Sequence, residues 1–276
     1  MIKKIILEEE LNSEELRKLE ILFRETDRDI LDSFLILTDS PELARICRRL
    51  DMAVAAVLSG APELAAAGDV DVCGAGDFPG VPYAVTDTED LDENYLERIW
   101  RRYRGIPWEI CRTDRCIVRE TVPEDVESFY EIYRDKEITR YMENLFEDRE
   151  KERQYIRDYI EKVYGFYGFG MWTVCLRETG EVIGRAGLSM REGFEEPELG
   201  YVIGKKWQRQ GIAEEVCREI LAYGREELGF ERVRALMHPK NAASKRLCHK
   251  LGFQYAEEIE LAGIRYDSYE IAPERR

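Results

Sequence analysis

The residues with the plainest chemical purpose are Gln208, Arg209, Gln210, Gly211, Ile212 and Ala213. They lie between a run of strand character, Glu198 to Ile203, and a run of helix character, Ala213 to Leu228. A glycine-bearing loop that leads from strand into helix leaves several backbone N–H groups without intrahelical acceptors and turned the same way. The positive end of the helix dipole adds to them, so the loop can hold an anion. Lys205, Lys206 and Arg209 crowd the same loop, which points to a multiply charged phosphate group.

About thirty residues later comes Asn241-Ala242-Ala243-Ser244-Lys245-Arg246-Leu247-Cys248-His249-Lys250-Leu251-Gly252-Phe253. Asn241 suits a helix N-cap, and Leu-Gly-Phe is a helix stop with glycine at the left-handed position. Together the two segments resemble the GNAT (Gcn5-related N-acetyltransferase) superfamily. Its Gln/Arg-x-x-Gly-x-Gly/Ala loop is matched by Gln208, Gly211 and Ala213, and its Asn-x-x-Ser/Ala helix ending in Gly-Phe by Asn241, Ser244, Gly252 and Phe253. The resemblance runs from about Cys116 to the C-terminus and is similar in type to the ribosomal-protein N-acetyltransferases.

The resemblance implies an acetyl-CoA-dependent N-acetyltransferase, with acetyl-CoA as cosubstrate and a primary amine of a small molecule or a protein N-terminus as acceptor. Backbone groups of Tyr201, Val202 and Ile203 would pair with the pantetheine amides. The N–H groups of Arg209 to Ala213 would take the pyrophosphate, and Asn241 and Ser244 would face the pantetheine arm. Lys245 and Arg246 are candidates for the ribose phosphate. Glu198, in the family's Glu-Ile/Leu-Gly-Tyr position, is the candidate general base. Cys248 stands where many members carry a tyrosine that protonates the departing thiolate; it is either a thiol acid or a small packing residue, with water as the acid. Tyr141, Glu143 and Asn144 fall where the family places its acceptor loop. The alternative function is a catalytically weak acyl-CoA-binding regulatory module that uses the N-terminal domain to dock a partner.

At 276 residues the chain has room for two domains. We read an α/β chain: a small Rossmann-like parallel-sheet domain over residues 1–112, non-catalytic, followed by a GNAT mixed-sheet α/β domain over residues 113–276. In the first, Phe34 to Thr38, Met52 to Leu58 and Pro82 to Val85 read as strands. Pro41 to Leu50, Pro62 to Ala67 and Leu91 to Tyr103 read as helices. The alternation resembles a trimmed haloacid-dehalogenase core, but Ile5-Ile6-Leu7 runs into Glu8-Glu9-Glu10 where that family needs Asp-x-Asp.

In the second domain the expected order is a strand from Cys116, a helix over Pro123 to Tyr133, and a loop and helix from Glu143 to Tyr164. A hairpin of Met171 to Leu176 with Val182 to Met190 precedes the loop, and two strands close the chain. The net charge of −16 argues against nucleic acid as partner, since that binding needs clustered basic residues. Acidity serves solubility; near an acceptor site it would also attract cationic amines. Seven dispersed cysteines, no Cys-x-x-Cys, no membrane-length apolar run and no secretory leader point to a cytoplasmic protein with reduced thiols. Both histidines are assigned to one helix region, so no metal site is expected. Homo-oligomerisation is left open.

Overall fold

The computed structural model describes residues 3–7, 11–58, 78–85 and 91–272. The helix expected over Pro62 to Ala67 and the Glu8-Glu9-Glu10 run lie outside them. The chain divides into two compact units after Trp108.

The first unit runs β1 (Lys3–Leu7), α1 (Ser13–Glu25), α2 (Arg28–Leu31), β2 (Phe34–Thr38), α3 (Pro41–Arg49), β3 (Ala53–Val57), β4 (Ala84–Val85) and α4 (Glu93–Tyr103). The four strands form one parallel sheet in the order β1-β2-β3-β4, as the alternation of strands and helices required. All five residues of β3 are buried, because helices cover both faces. Ile36, Val54 and Ala56 pack with Leu43 and Cys47 of α3, while Leu35, Leu37, Ala53 and Ala55 pack with Leu96 and Ile99 of α4. Sequence features set the helix starts: Asn12 and Glu15 make a reciprocal capping box on α1, and Ser40 with Pro41 opens α3.

The second unit begins with β5 (Glu109–Arg112) and β6 (Cys116–Arg119). A 3₁₀ turn over Pro123–Asp125 leads into α5 (Val126–Tyr133). A further turn over Thr139–Tyr141 precedes α6 (Arg149–Tyr159), which widens into a π turn over Ile160–Tyr164 and the single turn α7 (Gly165–Tyr167). The rest is β7 (Met171–Leu176), β8 (Val182–Ser189), β9 (Glu198–Ile203), α8 (Ile212–Glu226), β10 (Val233–Met237), α9 (Ala242–Leu251), β11 (Gln254–Leu261) and β12 (Ile264–Ile271). These strands build one mixed sheet ordered β11-β12-β10-β9-β8-β7-β6-β5. Every pairing is antiparallel except β9 with β10, which the α8 crossover makes parallel.

The boundary between the units differs from the sequence reading. β5 pairs with β6 as the edge strand of the second sheet, so the units part after Trp108 and not after Arg112. In the stretch read as a loop and helix from Glu143 to Tyr164, the helix starts at Arg149, where the Asp148 carboxylate caps it by accepting from the Glu150 N–H at 2.9 Å.

Candidate active site

The parallel pair β9–β10 is in register at one position alone, Arg234 against Glu198. Beyond it the strands part, although β9 runs on to Ile203 and β10 to Met237. On its other side β9 stays paired with β8 along its whole length. Gly184 permits that close pairing, since a Cβ there would meet the Val202 carbonyl oxygen at 2.2 Å. The Gly204 N–H donates to the Ile183 carbonyl at 2.8 Å, so by alternation Gly200 and Val202 also direct their backbone groups at β8. Tyr201 and Ile203 therefore turn theirs into the gap. Of the three residues assigned to pantetheine, Val202 is thus spent on the sheet, and the Ile203 carbonyl accepts from the Gln208 side chain at 2.8 Å.

The gap leads to the N-terminus of α8. Arg209 at φ 58 and Gly211 at φ 81 are both left-handed, a backbone pattern that turns neighbouring N–H groups to one side. Gly211 is the N-cap and supplies no side-chain acceptor, so among the described residues the N–H groups of Arg209 to Ala213 have no backbone partner. The Gln210 side chain folds back onto the Lys206 carbonyl at 2.9 Å. The positive charge at the loop is not what composition suggested. Lys205 pairs with Glu137, and Lys206 lies 3.5 Å from Glu181 and over the Trp207 ring. Arg209 is left facing solvent, and Arg115 reaches the loop from the β5–β6 turn.

Helix α9 closes the other side of the gap. The Asn241 side chain caps it by accepting from the Ser244 N–H at 3.2 Å, and Ser244 Oγ accepts from the Tyr201 hydroxyl at 3.0 Å. That bond ties β9 to α9, and burial pushes the Tyr201 hydroxyl well above its ordinary pKa. Cys248, 2% exposed, lies under the same helix with its thiol pushed up to about 12 by burial. Lys245 pairs with Asp267 of β12, which removes it from the phosphate-binding candidates; Arg246 is exposed.

Glu198 sits at the apex where β9 and β10 part. Its carboxylate, 14% exposed, accepts from Arg191 Nε at 2.5 Å. Burial works against the Arg191 charge, but Glu198, Tyr266 and Glu143 raise its pKa on balance, so Glu143 of the expected acceptor loop shares this neighbourhood. Tyr141 stacks on His238 at 4.9 Å, and the His238 carbonyl accepts from the Asn241 N–H at 2.8 Å. The acceptor loop thus meets the end of β10 beside the cap of α9. Asn144 does not join this group. It lines a pocket of about 240 Å³ with Tyr130, Tyr133, Leu145 and Phe146. The site residues that sequence reading missed are Arg191, His238 and Arg115. His238 was assigned to the α9 region, but it precedes that helix and directly follows β10, a position only the strand bounds reveal.

A carboxylate, a strand edge that turns the backbone groups of Tyr201 and the Ile203 N–H into the gap, and an anion nest can together bind an extended, phosphate-bearing ligand and deprotonate a nucleophile at its far end. Among the described residues no group of His, Cys, Asp and Glu could hold a metal ion, and no helix is long and apolar enough to cross a membrane. Residues 115–254 match the acetyltransferase (GNAT) domain family. The uncharacterized N-acetyltransferase YoaA of Bacillus subtilis is 33% identical over 148 residues, covering 52% of this chain and 82% of the relative. Among solved structures, a GNAT-family acetyltransferase from Bacillus anthracis aligns with a TM-score of 0.50 at 23% identity, covering 58% of this chain and 96% of its own. The ribosomal L7/L12 alpha-N-protein acetyltransferase RimL in complex with coenzyme A aligns with a TM-score of 0.50 at 14% identity, covering 60% and 98%.

Proposed function

Because the chain belongs to the acetyltransferase (GNAT) family, we propose that it moves the acetyl group of acetyl-CoA to a primary amine of a small molecule or a protein N-terminus. The observation that carries this reading is the single-register β9–β10 pair, which opens a slot running from Glu198 to the nest at α8. The pantetheine arm would lie along β9 against the backbone groups of Tyr201 and the Ile203 N–H, with Asn241 and Ser244 across from it. The pyrophosphate would rest on the N–H groups of Arg209 to Ala213. The coenzyme A bound to RimL, a protein sharing this fold, supports acetyl-CoA as the cosubstrate.

In this reading the amine nitrogen attacks the thioester carbonyl carbon, the C–S bond breaks, and CoA leaves as thiolate. Glu198 takes the ammonium proton, directly or through water, once the acceptor displaces Arg191 from its carboxylate. Glu143, whose charge also acts on Arg191, would draw the released guanidinium, and Tyr141 would border the acceptor. Cys248 is a packing residue here: a thiol held near 12 is a poor proton donor at neutral pH, and CoA thiolate leaves without one. The same burial is what favours the second reading, a weak catalyst that holds acyl-CoA as a regulatory ligand. The first unit, with its resemblance to a haloacid-dehalogenase core, takes a structural or docking role in a cytoplasmic enzyme. The experiment is a screen of amines and N-terminal peptides for acetyl-CoA-dependent thiol release. Turnover with any of them sustains the first reading; acetyl-CoA binding without turnover across the set favours the second.

A further inference from the structure

Arg115 stands in the turn between β5 and β6, remote in sequence from the loop it touches. Its Nη1 donates to the Gln210 carbonyl at 2.8 Å, and its Nε donates to Glu215 Oε2 at 2.7 Å, with Nη2 2.5 Å from the same oxygen. Its own backbone N–H donates to Glu215 Oε1 at 3.0 Å. A Cβ placed on Gly211 would lie 3.5 Å from Nη2, so the guanidinium borders the nest itself. We propose that Arg115 is a positioning residue for the pyrophosphate loop, aiming one of its amides and cancelling the carboxylate that would oppose the anion. The proposal rests on the acetyl-CoA reading above.

The aiming follows from peptide geometry. In a trans peptide the carbonyl of one residue and the N–H of the next point in opposite directions. Fixing the Gln210 carbonyl on Arg115 therefore turns the Gly211 N–H to the other side, towards the nest. Gly211, at φ 81 and without a side chain, has nothing of its own to hold that direction. Flexible glycine loops lose this alignment easily.

Glu215 is in the first turn of α8, where a carboxylate suits the helix dipole but repels a phosphate bound at the same end. Although burial opposes it, hydrogen bonds from Thr113 and Arg115 and the Arg115 charge hold its carboxyl below the usual range, so it is ionised at neutral pH. The planar guanidinium neutralises it while still reaching Gln210. Lysine, a single point charge, cannot meet both acceptors in that fixed fork.

The test is a titration of acetyl-CoA and of S-acetylpantetheine, which lacks the pyrophosphate, into the wild type, Arg115→Ala and Arg115→Lys. We expect Arg115→Ala to weaken acetyl-CoA binding by about tenfold or more while leaving S-acetylpantetheine binding within about twofold. Arg115→Lys should recover only part of the loss, and Glu215→Gln added to Arg115→Ala should also recover only part, since it relieves repulsion without aiming the amide. Unchanged acetyl-CoA affinity in folded Arg115→Ala overturns the proposal, as does an equal loss for both ligands, which would mark a general disturbance of the fold. A wild type that binds no acetyl-CoA overturns the cofactor reading and this proposal with it, so the wild-type titration separates the two failures.

Discussion

Glu198 and Cys248 are the two side chains nearest the proposed chemistry, and their surroundings give them unequal roles. An amine of ordinary basicity is protonated at neutral pH, so a base must act before or during attack. Glu198 has the place for it, at the apex of the slot with an oxygen on Arg191. Cys248 is buried, and its thiol holds its proton up to about 12. General-base catalysis is worth about a hundred- to ten-thousandfold. Glu198→Gln should therefore lower kcat by that order while acetyl-CoA affinity stays nearly intact, and Cys248→Ala should cost less than about tenfold. Steady-state kinetics on both variants decide it. A dead Cys248→Ala beside a fully active Glu198→Gln would reverse the roles.

The elements that hold this site depend on one buried network. Asp125, 4% exposed at the start of α5, accepts from Arg119 of β6 at 2.7 and 2.8 Å, from Thr173 Oγ1 of β7 at 2.8 Å, and from the Val122 N–H at 3.0 Å. It fixes α5 against the sheet, where Phe129 and Tyr133 pack on Val202 of β9. Removing one partner of a buried pair leaves an uncompensated charge and costs about 3–5 kcal/mol. Asp125→Ala should lose stability of about that size in urea unfolding; a loss under about 1 kcal/mol would mean water replaces the carboxylate. Little of this network was legible in the sequence, because its members come from three elements brought together only by the fold. What was legible is local. The buried run of β3, the capping residues of α1 and α3, the glycine loop before α8 and the Asn241 to Phe253 helix each carry their signal within a few residues. The Arg191–Glu198 pair and the reach of Arg115 to Gln210 carry none, since each needs a turn or a sheet to bring its members together. β5 was misassigned for the same reason: four residues beside Trp108 do not say which sheet they join. Val202 is different, for the alternation along β9 was readable, and it separates Val202 from Tyr201 and Ile203 once one bond to β8 is known.

Across the whole molecule, two properties follow from how each unit buries its own core. Cys111 and Cys248 have thiols pushed up by burial to about 12, and Cys217 is shifted the same way, from an ordinary value of 9.0. A raised folded-state pKa contributes stability that is fully present below the unfolded value and is lost as pH climbs from there towards the folded one. Unfolding free energy should thus be flat in this respect to about pH 8, then fall by up to about 1.4 kcal/mol per pH unit for each such thiol. Urea unfolding at pH 7.5 and 10 measures the slope, and Cys111→Ala should make it shallower by that thiol's share; an identical slope in that variant would assign the alkaline loss to other groups. The second property concerns separability. All the proposed cofactor contacts and the entire eight-stranded sheet lie beyond Trp108. A fragment of residues 109–276 should fold and gain thermal stability from acetyl-CoA, whereas one starting at 113 lacks β5 and leaves the β6 edge bare. Cys116 and Val118 of β6 are fully buried in the intact sheet, so the shorter fragment should melt several degrees lower and aggregate more readily. Thermal melts of the two fragments, with and without acetyl-CoA, read both effects. Equal stability would show that β5 adds nothing to the second core, and an insoluble longer fragment would show that the first unit is needed to complete it.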